Sequence, residues 1–255
     1  MIKRLIAILF ALGADSVSAT AASLSPFAHD AAGRPVLEFD PATAVKLDAQ
    51  GRDLIAVTVR ETPPASDARG PVDLALMVDC RSRQLAASTV AGIKVSDLKS
   101  PSKGMYERFV TALCDGELLG VQGLPARSGW KHFLESPLRG LYFASGGART
   151  IGKYRAASVR LYEFGGAQLA DGRHVDARDA VWVIDCERKL GAVAFERAFA
   201  RVDDHDQTMQ SIGNERAFAD PSIAEVDKLT FGQAAAGSMQ ARFGDALCVM
   251  NPDLQ

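Results

Sequence analysis

Val78-Asp79-Cys80-Arg81-Ser82-Arg83 and Ile184-Asp185-Cys186-Glu187-Arg188-Lys189 follow one pattern: an apolar residue, Asp-Cys, then a charged turn. Upstream of the first, Val72, Leu74, Leu76, Val78 and Cys80 alternate with Asp73, Ala75, Met77 and Asp79. Successive side chains of a strand point to opposite sheet faces, so this period of two predicts a strand with Cys80 on its apolar face. Trp182, Ile184 and Cys186 predict the same in the second half. Further out, Ala56-Val57-Thr58-Val59-Arg60 resembles Ala157-Ser158-Val159-Arg160, and Gly104 to Cys114 matches Ser238 to Cys248 at Met, Arg, Phe, Ala, Leu and Cys. Met105, Phe109 and Leu113 recur at i, i+4 and i+8, which is one apolar stripe of a helix, with Cys114 beside it. The order strand, Asp-Cys strand, turn, strand, helix ending Ala-Leu-Cys occurs twice and predicts an internal duplication.

The four cysteines allow three pairings. The duplicated order selects Cys80–Cys114 and Cys186–Cys248, each joining a helix to the core face of its own sheet. By the chain-entropy argument each bridge stabilises by about 4 kcal/mol. None of the four lies in a C-x-x-C pair, which gives no support to a thioredoxin-like site or a zinc ribbon. Ser100 or Ser102 is expected to cap the first helix and Ser238 the second.

Composition bounds the function. The 255 residues are 47% hydrophobic and 24% charged, with 29 Lys and Arg against 31 Asp and Glu. That is too apolar for a disordered chain and too acidic for a nucleic-acid binder. Lys3 and Arg4, the apolar run Leu5 to Leu12 and the small residues Val17-Ser18-Ala19 and Ala19-Thr20-Ala21 read as a secretory signal peptide over 1–21, cleaved near Ala19 or Ala21. The expected location is periplasmic or secreted. No membrane span is expected after cleavage, and no lipidation, since the first cysteine is Cys80.

The predicted organisation is α+β: two similar domains, each a small antiparallel β-sheet with a C-terminal helix packed on it and one intradomain disulfide. The first occupies 22–120, a linker 121–129 and the second 130–255, with Pro125 and the glycines of Gly120 to Gly129 marking the boundary. Pro35 to Phe39, Ala44 to Asp48, Leu54 to Arg60, Trp130 to Leu134, Leu141 to Ala144, Tyr154 to Phe164, Ala180 to Cys186 and Leu190 to Ala200 read as strands, and His29 as part of a mobile N-terminal arm. The two Asp-Cys-to-helix-Cys separations are 34 and 62, which leaves the second half an insertion over 201–227.

This frame resembles the surface-adhesin protein E family of Gram-negative bacteria, here as two tandem copies. The carrying residues are Trp130, Tyr142-Phe143, Ile184 to Lys189 and Ser238 to Cys248, with Phe39-Asp40-Pro41, Val78-Asp79-Cys80 and Met105 to Cys114 in the first half. The resemblance implies a small antiparallel sheet with a packed helix and, for the named member, binding to host extracellular-matrix proteins. This chain departs from the pattern in lacking a lipidation cysteine and in having two copies.

Chemistry-bearing motifs are sparse. Asp203, Asp204, His205 and Asp206 form the densest ligand-like cluster, a weak metal candidate set against a solvated acidic loop; the spacing matches no EF-hand. His29, His132 and His174 accompany no G-x-S-x-G. Gly146-Gly147 and Gly165-Gly166 lack a phosphate-loop pattern and read as turns. Asp79 and Asp185 read as turn or strand-edge hydrogen-bonding groups, and Arg108 and Arg242 as salt-bridging or solvated. Arg149, Lys153, Tyr154 and Arg155, in the hairpin Arg149 to Arg160, form the candidate partner surface, against an ordinary charged strand edge. The expected function is an exported, non-enzymatic binding or envelope protein with no cofactor, its partner a protein or envelope component. The alternative is an exported hydrolase or metal-dependent enzyme that uses the 201–227 insertion, and a third reading is a purely structural accessory domain.

Overall fold

The computed structural model describes residues 24–49, 51–89, 92–121, 129–202, 205–213 and 222–249. The signal-peptide segment 1–21 and most of the expected linker therefore lie outside the described residues. Among those described, no helix is long and apolar enough to cross a membrane.

The strands are assigned to one eleven-stranded sheet and run β1-β2-β3-β4-β5 in one half of the chain and β11-β10-β9-β8-β7-β6 in the other. The expectation of two small separate sheets is corrected by that single sheet. Periodicity along a strand fixes which of its faces is buried but says nothing of which strand lies at its edge. Contacts cluster into two units, 1–128 and 129–255, and each is described by itself.

The first unit holds β1 (Ser25–His29), β2 (Pro35–Ala49), β3 (Arg52–Glu61), β4 (Val72–Asp79), β5 (Gln84–Ser88), a 3₁₀ turn at Val95–Asp97 and α1 (Met105–Cys114). Its neighbouring strands pair antiparallel. His29, expected in a mobile arm, instead ends β1 and is buried. Pro35–Phe39 and Ala44–Asp48 are one strand interrupted by a bulge between Asp40 and Val45. The Thr43 hydroxyl holds that bulge, donating to Asp40 O at 2.8 Å and accepting from Thr58 N at 2.9 Å. Helix α1 seats Phe109 edge-on against Phe27 and Phe39, with centroids 5.1 and 5.9 Å apart. Its N-cap is Gly104, at φ 114°, where neither Ser100 nor Ser102 had to serve; Glu107 accepts the Gly104 N–H. The alternation expected of β4 holds only for its first half, because Leu76, Met77, Val78 and Asp79 are all buried.

The second unit holds β6 (Trp130–Glu135), β7 (Arg139–Ile151), β8 (Tyr154–Glu163), β9 (Ala177–Asp185), β10 (Leu190–Val202), β11 (His205–Gly213), the single turn α2 (Ile223–Val226) and α3 (Met239–Val249). Again the neighbours pair antiparallel. Phe243 of α3 lies against Phe133, Phe143 and Trp182, with centroids 5.1 to 5.9 Å away. Ala241 N donates to Ser238 Oγ at 3.2 Å, so Ser238 caps this helix. On the opposite face Tyr154, Ala156, Val181, Val183 and Phe195 are closed over by Val226, Leu229 and Phe231. Strand β9 is thus buried on both faces, which explains why Ala180 to Ile184 reads as an unbroken apolar run.

Cys80 is bonded to Cys114 and Cys186 to Cys248, the pairing that the repeated cysteine order implied. The Cα atoms are 5.3 and 5.6 Å apart, within the usual range for a bridge.

Candidate functional site

The two Asp-Cys corners resolve first. Asp79 and Asp185 end their strands nearly without exposure. Asp79 accepts from Arg81 N and Arg52 Nη1, both at 3.0 Å. Asp185 accepts from Arg188 N at 3.0 Å and Arg188 Nε at 2.7 Å. Burial works to raise the Asp79 carboxyl, and hydrogen bonds from Ser82, Arg81 and Arg52 outweigh it, so the value is lowered. Asp185 is lowered mainly by the Arg188 backbone N–H, helped by its guanidinium and by Lys153. Three residues beyond each cysteine, Arg83 and Lys189 take left-handed backbone at φ 53° and 56°. Each then reaches the helix: Arg83 donates to Asp115 at 2.7 Å and Lys189 to Asp245 at 2.5 Å. These charges staple a turn to a helix and are committed to structure.

A second matched pair of charges differs between the units in its surroundings. Arg60 donates Nε and Nη2 to Asp73 across β3 and β4 at 2.7 and 3.0 Å, in the open. Arg160 makes the same fork to Asp179 across β8 and β9 at 2.6 and 3.0 Å. There the guanidinium lies 5.0 Å from the Trp130 ring centre and 5.5 Å from that of Phe199. Burial works to lower Arg160, and the Asp179 carboxylate more than reverses this, so its value is raised and the cation is locked in.

The second unit carries an open cleft of about 800 Å³ on the α3 side of the sheet. Its floor includes Leu161 and Trp182, and the start of α3 supplies one wall through Met239 and Gln240. Along it runs a ladder of alternating charge. Arg139 Nε donates to Glu163 at 2.8 Å, Arg178 Nε donates to the other oxygen of Glu163 at 3.2 Å, and Arg178 Nη1 donates to Glu196 at 2.5 Å. Glu163 is buried at 4% side-chain exposure, while Arg139 stands at 53%. Two guanidiniums on one buried carboxylate fix the ladder's geometry without a ligand.

At the same helical position the first unit carries a side chain that is hydrogen-bonded across to its sheet. Counted back from the helix cysteine, Gln240 corresponds to Tyr106, whose hydroxyl donates to Glu61 at 2.8 Å. Counted from the cross-strand Arg–Asp pair, Glu61 corresponds to Leu161. Burial and the Glu61 carboxylate push the Tyr106 phenol up, so it stays a neutral donor. A ring and an acid therefore fill in one unit what a glutamine and a leucine leave open in the other.

The residues singled out from sequence fall elsewhere. Asp203 and Asp204 lie outside the described residues, and His205 and Asp206 begin β11, whose side chains are likewise not described. Among the described residues no group of three or more His, Cys, Asp and Glu could hold a metal. His174 is exposed and pairs with Asp176 at 3.0 Å; it does not line the cleft. His132 is buried edge-on to Tyr142. Arg108 and Arg242 are half-buried on α1 and α3. In the hairpin of β7 and β8, Arg149 and Arg155 stand on the strands and Lys153 in the turn, its Nζ 5.2 Å from the Tyr154 ring centre. Tyr154 is not offered to a partner: it is 4% exposed, stacks on Phe231 and donates to Asp227 at 2.9 Å. Ser145-Gly146-Gly147 forms a bulge in β7 between Phe143 and Ala148, where a Cβ on Gly147 would come within 2.8 Å of Ala144.

Sequence reasoning missed the cleft because its parts are scattered from Ser136 to Gln240. An available signal was the difference at Tyr106 and Gln240, one of five between the two aligned segments. No family profile, curated protein or solved structure gives a significant match to this chain.

Proposed function

We propose that this chain is an exported, non-enzymatic binding protein of the cell envelope, built from a duplicated adhesin E-like unit, in which the second copy keeps a ligand cleft that the first has filled. The observation that carries this reading is the 800 Å³ cleft with its prebuilt ladder of Arg139, Glu163, Arg178 and Glu196, set beside the Tyr106–Glu61 plug of the first unit. Its volume falls in the range of about 300–1,000 Å³ typical of small-molecule sites. Both disulfides favour an oxidising compartment, and Lys3-Arg4 with the apolar run after them supplies the route. The duplication and the family kinship rest on the residues quoted above.

Two measurements test the reading. Mass spectrometry of the chain recovered from a Gram-negative host should find it cleaved near Ala19 or Ala21 in the periplasm or medium; an intact, cytoplasmic chain overturns export. Thermal shift against a panel of small organic molecules should find binders lost in Gln240→Tyr, which copies the first unit's plug. A panel whose binders ignore that substitution overturns the cleft as the site.

A further inference from the structure

Resting on the cleft as the binding site, we infer that its ligand is a free aliphatic carboxylate of medium chain length. The ladder carries surplus donors. Arg139 uses only Nε on Glu163, which leaves its two terminal nitrogens without a hydrogen bond among the described residues, on a side chain that lines the cleft and is 53% exposed. Arg178 divides Nε and Nη1 between Glu163 and Glu196 and keeps one terminal nitrogen in hand. Both carboxylates of the ladder are by contrast engaged, Glu163 on both oxygens. The unmet demand in the cleft is therefore for an acceptor with negative charge, and a planar carboxylate suits the guanidinium fork.

Beside the ladder the cleft is lined mainly by apolar side chains, with Ser136, Ser238 and Gln240 among them. Leu138 and Val193 stand on its rim and are two of the five large hydrophobic side chains exposed among the described residues, at 64% and 44%. Val193, paired with Trp182 across β9 and β10, and Met239 add an apolar stretch beyond the ladder, and Leu138 stands next to Arg139 in the chain. Exposed apolar surface next to a fixed cation pair is costly to leave facing water, and an amphipathic anion covers both at once. A cation is rejected by Arg139 and Arg178, and a neutral alcohol gains the apolar stretch but wastes the charge-assisted bonds.

The test is calorimetric titration of the mature, disulfide-intact protein with octanoate, 1-octanol and octylammonium, in the wild type, in Arg139→Gln and in Gln240→Tyr. Arg139→Gln leaves Glu163 bonded to Arg178, and circular dichroism checks that each variant is folded. Octanoate is expected to bind at least tenfold more tightly than the other two probes. Arg139→Gln should bring octanoate down to the level of the alcohol, and Gln240→Tyr should abolish all binding. If octanol or octylammonium binds as well as octanoate and Gln240→Tyr still abolishes it, the carboxylate inference falls while the cleft stands. If no probe shows binding that depends on Gln240, the carboxylate inference falls, and the panel result above decides the cleft separately.

Discussion

Asp179→Ala and Asp73→Ala delete the same interaction in two environments, and the difference between them measures what burial does to an ion pair. The two forks have nearly identical geometry, with Nε bonds of 2.6 and 2.7 Å and Nη2 bonds of 3.0 Å. Their exposures do not match: 15% and 3% for Arg160 and Asp179, against 40% and 57% for Arg60 and Asp73. Removing Asp179 strands a guanidinium packed between Trp130 and Phe199, and takes away the 3.6 Å partner of Arg197 as well. Breaking a buried pair costs about 3–5 kcal/mol, whereas an exposed one is worth about 0–1 kcal/mol. With a urea slope of about 2 kcal/mol per M, the midpoint should fall by about 2 M for Asp179→Ala and by under 0.5 M, roughly, for Asp73→Ala. Urea titration at pH 7 with intact disulfides provides the assay. Tryptophan fluorescence reads the second unit, where both Trp130 and Trp182 lie, and far-ultraviolet circular dichroism reads the whole chain. Replacing the whole pair, as Arg160→Met with Asp179→Leu, should recover most of the loss, because the Arg160 guanidinium leaves with its carboxylate and only the long 3.6 Å contact of the part-exposed Arg197 stays lost. Equal losses in the two single variants would refute the reasoning, as would a double variant no better than Asp179→Ala.

Three further outcomes are expected. Because Asp79 and Asp185 are held below the ordinary aspartate value of 3.8, their contribution to stability is complete above that value and is lost as pH falls through the lower folded values; urea midpoints of wild type and Asp185→Asn should therefore differ at pH 7 and converge as pH drops below 3.8. Under graded dithiothreitol without denaturant, alkylation mapping should find Cys186 and Cys248 reduced before Cys80 and Cys114, since the first pair is half-buried with Cys248 on a cavity of about 220 Å³, and the second is 4% and 5% exposed. Phe243→Ala, which empties the space between Phe133, Phe143 and Trp182, should destabilise by about 3–5 kcal/mol and change tryptophan emission through Trp182, as equilibrium unfolding followed by fluorescence will show.

The sequence by itself determined what is local or repeated. A period of two placed Cys80 and Cys186 at strand ends, and a stripe of Met105, Phe109 and Leu113 placed α1. The repeated order of cysteines gave their pairing, because a bridge fixes only which two segments meet. What lay beyond reach was every property set by neighbours distant in the chain. Membership of one large sheet leaves no trace in a strand's side-chain pattern, which shows only the faces that are buried. Tyr154 looked like a binding residue until Phe231 and Asp227, far along the chain, closed over it. Arg139, Glu163, Arg178 and Glu196 sit on four different strands, and hydrogen bonding across the sheet is what makes them a ladder. Burial and charge pairing are sums over spatial neighbours, and only the folded chain says which neighbours those are.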